Sequence, residues 1–379
     1  MPAGLALYVH WPFCLAKCPY CDFNSHVEEA IDQDRWRRAL LAELDYFLND
    51  TKVETVSSIY FGGGTPSLME PRTVACLIEA AGEGRGLSED VEITIEANPS
   101  SVLSEIFCEF SAAGVNRLSL GVQSLDDKAL AFLGRGHTAA VAREALQLAA
   151  QWFPRFSFDM IYGLPGQTAK VWRRQLARAL ELAGGHLSLY QLTVEPATPF
   201  HRSGVRPADE ETAIALYRTT REMCEANAMP SYEVSNYARP GEPCRHNLHV
   251  WRGGSYAGIG PGAHGRLAAG GGHQAVRQIA EPGRWLEAVE KKGHGTAQRT
   301  LLSSEQRGEE LLMTGLRLGE GVDGGRFRRL TGRSLEEALD GEKLRRLVEG
   351  GFLLGDGHGL AATPSGRLAL NEVIAQLLG

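Results

Sequence analysis

No apolar run of some 18 residues occurs in the 379-residue chain, and a mean hydropathy of -0.19 argues against a membrane-spanning helix. Positive charge is short as well. With 39 Lys and Arg against 46 Asp and Glu, the formal net charge is -7, without the basic surplus that releases counterions from a phosphate backbone. Nucleic acid is therefore not an expected partner. Met1 to Pro12 lack a basic stretch leading into an apolar one and a small-residue cleavage site, so nothing there marks secretion and a cytoplasmic location is expected. Cysteine is scarce and odd in number: seven residues cannot form a complete disulfide framework, and no C-x-x-C-H offers covalent heme attachment. No low-complexity tract exceeds the Gly270 to Gly272 run.

Glycine, by contrast, is abundant. The chain has 44, above the average usage of about 7%. Its length suits two to three domains that fold without disulfide or metal staples.

Apolar, β-branched runs at Leu5–His10, Ser58–Phe61, Val91–Glu96, Arg117–Val122, Phe156–Tyr162 and Leu187–Val194 predict strands. Helical spacing separates them at Asp34–Leu48, Arg72–Ala81, Leu103–Ala113, Ala139–Trp152 and Thr168–Ala183. Repeated β-then-α units imply right-handed crossovers and a parallel sheet, either doubly wound or closed toward a barrel, so an α/β fold is expected, with six units falling short of a full eight. A helix around Glu210–Asn227, a strand over Tyr232–Tyr237 and a glycine-rich stretch from Trp251 to Gly272 follow. Beyond about residue 295 the pattern becomes helical, over Glu305–Leu318, Gly324–Thr331 and Leu335–Glu349. A hairpin of Phe352–Leu354 and Leu360–Thr363 then turns at Gly355-Asp356-Gly357. This C-terminal part is mainly helical and winged-helix-like. Residues 301–379 hold 10 Lys and Arg against 12 Asp and Glu, which favours a structural or lid role over DNA binding. The expected division is a core barrel over 1–240, a connecting segment over 241–295 and a C-terminal domain over 296–379.

Three of the seven cysteines crowd into Cys14-Leu15-Ala16-Lys17-Cys18-Pro19-Tyr20-Cys21, just after the first strand, at the end where parallel α/β folds build their sites. A zinc site completed by His10 or His26 is one reading, although structural zinc ligands usually come as paired knuckles. The favoured reading is a [4Fe–4S] cluster on three thiolates, with one iron left for a ligand. Polar and glycine motifs at successive strand ends, from Gly62-Gly63-Gly64-Thr65-Pro66 through Glu96, Gln123 and Asp159 to Thr193 and Glu195, gather at the same rim. Cys76, Cys108 and Cys224 fall on or near apolar helical stretches and suit packed thiols.

The C-x3-C-x2-C spacing is the fingerprint of the radical S-adenosylmethionine (SAM) superfamily. Leu7 to Cys14, Gly62 to Pro66, Glu96-Ala97-Asn98-Pro99, Gly121 to Ser124, Gly134-Arg135-Gly136-His137 and Tyr162 to Thr168 together resemble the oxygen-independent coproporphyrinogen III oxidase family. The resemblance runs nearly end to end. It implies a partial (β/α)6 radical SAM barrel in which Cys14, Cys18 and Cys21 hold the cluster and the amino and carboxylate groups of SAM chelate the fourth iron. An electron from the cluster can then cleave a C–S bond of the sulfonium. By the same resemblance Tyr8, Gly63, Gly64, Thr65, Glu96, Gln123, Arg135, Asp159 and Thr193 line the SAM site. Glu96 would accept from the amino group, Arg135 donate to the carboxylate and Asp159 accept from ribose hydroxyls.

Phe23 stands where the oxidases have a fourth cysteine, two residues after Cys21. With Cys21 to His26, this resembles the heme-chaperone branch of the family, which implies heme and acceptor hemoproteins as partners and no coproporphyrinogen oxidase activity; oxidative decarboxylation is the alternative. Cys244-Arg245-His246-Asn247-Leu248-His249-Val250-Trp251 resembles that branch's H-N-x-x-Y-W motif, with Val250 in place of tyrosine. His246 is the implied axial heme ligand and Trp251 its packing partner, with His249 and Cys244 as other capable ligands. Gly258 to Gly265 would close over the SAM side. Pairing into a homodimer is left open.

Overall fold

The computed structural model describes residues 4–51, 55–99, 103–269, 272–355 and 358–379. Asp356 and Gly357 of the expected hairpin turn, and Gly270 and Gly271 of the glycine run, lie outside them. Strands β1 (Leu5–Trp11), β2 (Val56–Gly63), β3 (Leu87–Ala97), β4 (Arg117–Gln123), β5 (Arg155–Tyr162) and β6 (His186–Gln191) are the expected six, all parallel and adjacent in sequence order. Five further strands complete an 11-stranded sheet: β7 (Asn236–Ala238), β8 (Tyr256–Ile259), β9 (His264–Ala269), β10 (Gly272–Gln278) and β11 (Thr296–Leu302). The order is β11-β10-β9-β8-β1-β2-β3-β4-β5-β6-β7.

Helices α1 (Gln33–Asp50), α2 (Pro71–Arg85), α3 (Leu103–Ala112), α4 (Ala139–Trp152) and α5 (Ala169–Leu182) make the five crossovers, and α6 (Glu210–Ala226) leads from β6 to its antiparallel neighbour β7. Polar side chains start them: Asp32, Thr138, Thr168 and Asp209 each accept from a backbone N–H in the first turn. Strand alternation then sorts the two faces. On β1, Leu5, Leu7, Val9 and Trp11 join the core with Leu40, Leu44 and Phe47 of α1, while Tyr8 and His10 turn into the barrel. The interior is polar, carrying Tyr60, Glu96, Ser119, Arg117, Asp159 and His186.

Two expected elements are shorter than their apolar runs. β6 stops at Gln191, so Thr193 lies in a loop rather than a strand. β7 spans three residues, antiparallel to β6, because the Glu233 carboxylate accepts from Ser235 N and Asn236 Nδ2 and folds the preceding residues into a turn.

The segment 241–295 does not stand apart as a connector. It supplies helix α7 (Arg245–Trp251), the parallel neighbour of β1 in β8, and two antiparallel strands, with helix α8 (Pro282–Lys292) leading to β11. Glu43 of α1 holds this edge in place. Its carboxylate, fully buried, accepts from Gly260 N (2.7 Å), Gly295 N (2.6 Å) and Trp285 Nε1 (3.0 Å), while burial pushes its pKa up to about 7. The sheet therefore runs to Leu302.

After it comes a second core built on Leu311, Leu316, Phe327, Leu353 and Val373. Helices α9 (Ser304–Gly315), α10 (Gly324–Thr331), α11 (Gly341–Glu349) and α12 (Leu370–Leu378) surround a small antiparallel sheet of β12 (Val322–Asp323), β13 (Leu353–Gly355) and β14 (Gly359–Ala362). This is the winged-helix-like arrangement the sequence predicts. It is joined to the barrel by Arg252 and Glu320, whose two hydrogen bonds are both 2.7 Å, by Arg266 and Glu310 (2.7 Å), and by Arg317 stacked 4.9 Å over the Trp251 ring. Among the described residues no helix is long and apolar enough to cross a membrane.

Candidate functional site

At the C-terminal ends of the parallel strands opens a cavity of about 470 Å³, within the range of small-molecule sites. Its floor and walls come from consecutive strand ends. Cys14, Cys18 and Cys21 lie on the loop after β1, Gly63, Gly64 and Thr65 on the turn after β2, and Glu96 at the end of β3. Gln123 ends β4, Arg135 follows it, Asp159 comes from β5 and Thr193 lies beyond β6. Eleven of the residues expected at the cluster and SAM sites thus share one cavity.

The cysteine loop leaves β1 through Phe13–Cys14 and returns through His26–Val27, two short parallel strands. Asn24 pins it. Its amide donates to Pro261 O (3.0 Å) and Ala280 O (2.8 Å), its Oδ1 pairs with His26 Nε2 (3.0 Å), and its backbone oxygen accepts from His10 Nε2 (2.9 Å). His10 Nδ1 accepts from the Tyr8 hydroxyl (3.1 Å). Both histidines that a zinc site would need are committed to the loop's own hydrogen bonds. Among the described residues no group of three His, Cys, Asp and Glu side chains converges as a single-ion site does.

The three thiols are free, and two face donors suited to thiolates: Thr65 Oγ1 lies 3.4 Å from Cys14 Sγ, and Arg135 Nη1 lies 3.4 Å from Cys18 Sγ. Burial raises the Cys14 pKa, and the Thr65 hydrogen bond works against that rise. An iron–sulfur cluster would supply the missing positive charge, and the donor set fits one.

Glycines bring the second turn under this loop. A Cβ on Gly64 would stand 2.7 Å from Phe13 O; Gly63 has φ +114° and would put a Cβ 2.7 Å from the His10 ring. Glu96 accepts from Tyr60 Oη (2.8 Å) and Gly63 N (3.2 Å). Burial pushes its pKa up to about 7, the neighbouring Asp159 charge adds to that, and the two hydrogen bonds pull it back. Asp159 is pushed up to about 6, again by burial. Gln123 adopts φ +65°, a strained conformation for a residue with a side chain, at the cavity wall. The Nε of Arg135 is buried with no partner, Nη2 is spent on Asn98 and Gly121 and Nη1 makes one bond to Cys18, so the guanidinium keeps its Nε–H and one Nη1–H for a ligand. An amino acid's ammonium and carboxylate match the pair of Glu96 and Arg135, and SAM fits this donor set.

Three expected site residues lie elsewhere. Tyr8 sits below the cavity, its hydroxyl on His10 and its ring beside Tyr60. His246 and Trp251 are on α7, which closes the opposite end of the barrel. His246 is 5% exposed: its Nδ1 pairs with Ser58 Oγ (3.0 Å), its backbone N–H donates to Glu92 Oε1 (3.1 Å), and burial depresses its pKa to about 3. Cys244 and His249 are as deeply placed, Cys244 Sγ against Glu92 (3.4 Å) and His249 Nε2 against Ser255 O (2.8 Å). The space beside Trp251 amounts to about 10 Å³, far too little for a porphyrin. Nor do Gly258 to Gly265 line the cavity: Gly262 packs against Asn24 and so supports the cysteine loop from outside.

Asn98 and Tyr60 carry contacts at this site that the sequence reading did not assign. Asn98 stands within Glu96-Ala97-Asn98-Pro99, and Tyr60 lies on the inward register of β2 between Ser58 and Gly62, so the motif and the alternation held a signal for each.

An open parallel barrel whose strand ends gather a C-x3-C-x2-C loop, a glycine turn and an ammonium–carboxylate donor set defines a radical SAM protein. Residues 8–177 match the radical SAM superfamily and residues 302–369 the HemN C-terminal domain. Heme chaperone HemW of Mycobacterium tuberculosis is 34% identical over 98% of this chain and 94% of its own length, and heme chaperone HemW of Escherichia coli is 41% identical over 69% and 70%. The chain belongs to the HemW family of radical SAM proteins. A Bos taurus relative, radical S-adenosyl methionine domain-containing protein 1, mitochondrial, is 41% identical over 98% of this chain and 87% of its length. The solved structure of coproporphyrinogen III oxidase (HemN) from Escherichia coli shares the fold over 99% of this chain and 90% of its own, at TM-score 0.83 and 21% identity.

Proposed function

We propose that the protein is a heme chaperone that holds a [4Fe–4S] cluster and SAM in the strand-end cavity and passes heme to acceptor hemoproteins. The observation that carries this reading is Phe23. It is 62% exposed on the cysteine loop and lines the cavity, where the oxidase pattern has a further cysteine. Relatives named heme chaperone cover the chain almost end to end, which supports the same choice.

A bound cluster would offer an iron coordination position and one electron. The chain's residues supply the rest: Cys14, Cys18 and Cys21 as thiolates, Glu96 as acceptor for the SAM amino group, Arg135 Nε as donor to its carboxylate, and Asp159 as acceptor for ribose hydroxyls. Axial ligation of heme by His246, or by His249 or Cys244, requires α7 to leave its seat at the barrel floor. Trp251 would move with it to cover the macrocycle. Residence in the cytoplasm belongs to the same proposal, with a mitochondrial compartment as the alternative that relatives of that name raise.

Heme titrated into cluster-reconstituted protein is expected to give a saturable one-to-one Soret shift that weakens in His246→Ala. Coproporphyrinogen III incubated anaerobically with the same protein, SAM and reductant is expected to stay unchanged. Sustained protoporphyrinogen formation, or no stoichiometric heme binding, would overturn the reading.

A further inference from the structure

Two of the three cluster thiols already receive a hydrogen bond, and one side chain joins the two donors. Asn98 Nδ2 donates to Thr65 Oγ1 at 3.0 Å, and Thr65 donates onward to Cys14 Sγ at 3.4 Å. On its other side Asn98 Oδ1 accepts from Arg135 Nη2, while Arg135 Nη1 reaches Cys18 Sγ at 3.4 Å.

The directions are fixed by chemistry. Guanidinium only donates, so the Asn98 oxygen must face Arg135 and its NH2 must face Thr65. With one of its lone pairs occupied by that NH2, the single proton of the Thr65 hydroxyl is turned toward sulfur. Gly121 O accepts from Arg135 Nη2 at 2.7 Å, and Thr65 N donates to Phe13 O at 2.8 Å, so both donors are anchored to backbone. Thr65 is 5% exposed, so its hydroxyl is shielded from water. Cys21 has only Ser25 Oγ at 3.8 Å, so the donors fall unevenly on the three sulfurs.

We infer that Asn98 is a positioning residue that aligns Thr65 and Arg135 on the Cys14 and Cys18 sulfurs and thereby raises the reduction potential of the cluster they hold. Hydrogen bonds and a cationic group at the sulfurs stabilise the more negative, reduced cluster over the oxidised one. Removing Asn98 frees the Thr65 hydroxyl to rotate and lets the guanidinium drift, so both sulfurs lose donors through one substitution. The inference rests on the cluster reading given above.

The test is an electron-paramagnetic-resonance redox titration of reconstituted full-length protein without SAM, with iron and sulfide measured on each sample. Asn98→Ala is expected to keep its iron and sulfide while the reduced-to-oxidised ratio at the wild-type midpoint falls about tenfold, a shift of roughly 59 mV for one electron. Thr65→Val, which removes only the donor to Cys14, is expected to shift the same way by less, and Thr65→Ser to restore the wild-type value. That pair decides the matter if Asn98→Ala fails to assemble a cluster. Unchanged midpoints in variants with full cluster content would overturn the inference alone. A wild-type chain that takes up no [4Fe–4S] cluster would overturn the cluster reading and this inference with it.

Discussion

Glu96 is pulled in opposite directions by its surroundings. Burial and Asp159 favour the protonated form, while Tyr60 and Gly63 favour the carboxylate, and the balance leaves a pKa of about 7. In the ligand-free protein such a raised value contributes stability that is full below the ordinary carboxylate pKa of 4.5 and is lost as pH rises through about 7. In cluster-free protein, where the SAM nitrogen is not on iron and stays an ammonium, its charge against Glu96 reverses the preference and drives the proton off. SAM binding is therefore expected to tighten as pH rises from about 6 to 8 and, near pH 7, to release a substantial fraction of a proton. Calorimetry in two buffers of different ionisation enthalpy measures that release. Glu96→Gln should bind SAM at least about tenfold more weakly, from the loss of a charge-assisted hydrogen bond, and release correspondingly fewer protons. Equal proton release in both proteins would remove Glu96 from the SAM contact.

Among the elements, the α1 helix and the glycine-rich edge depend on one another through Glu43. Glu43→Ala would strand two backbone N–H groups and the indole N–H of Trp285 in a dry interior, at an expected cost of about 3 kcal/mol or more. Glu43→Gln retains an amide oxygen and should lose less. Urea unfolding midpoints of the two variants check the order, and equal midpoints would contradict it.

The parallel strands were legible because each couples an apolar outer register to a turn motif, and the cysteine loop was legible because three cysteines sit within eight residues. What the sequence could not show is pairing across distance. Nothing near Tyr256–Ile259 announces that it lies beside β1, because its short apolar run is broken by glycine and its partner is some 250 residues away. Glu43 reads as one more charged helix residue until Gly260 and Gly295 arrive over it. His246 was recognisable as a motif residue, but a motif carries no record of depth, and only the register of Ser58 on β2 reveals that its ring is spent inside the barrel.

For the molecule as a whole, the C-terminal domain is fastened to α7 and the residues just after it. Arg317 over Trp251 and the Arg252–Glu320 pair hold the helix from outside while Ser58 and Glu92 hold it from within. The double substitution Arg317→Ala with Glu320→Ala is expected to leave the barrel core intact and to raise hydrogen exchange selectively over residues 245–253. A partly exposed ion pair and a cation–π contact of this kind are together worth about 1 to 2 kcal/mol, so exchange there should rise roughly five- to thirtyfold. Heme association should speed up in the same variant if α7 must leave its seat. Unaltered exchange over 245–253 would show that the domain does not restrain the helix.

β2 has one further consequence. Ser58 at its foot holds His246, Tyr60 in its middle holds Glu96, and Gly63 and Gly64 at its head lie beside the cysteine loop. One rod thus runs between the floor and the mouth of the barrel. If heme draws His246 out, the Tyr60 ring loses its neighbour at 5.1 Å, and its hold on Glu96 changes with it. Thermodynamic reciprocity then requires that whatever factor heme imposes on SAM affinity, SAM imposes on heme affinity. Paired titrations, heme with and without SAM and SAM with and without heme, should return the same ratio, and Tyr60→Leu should bring that ratio toward one. A ratio already at one in the wild type would mean that the two ends of the barrel work without knowledge of each other.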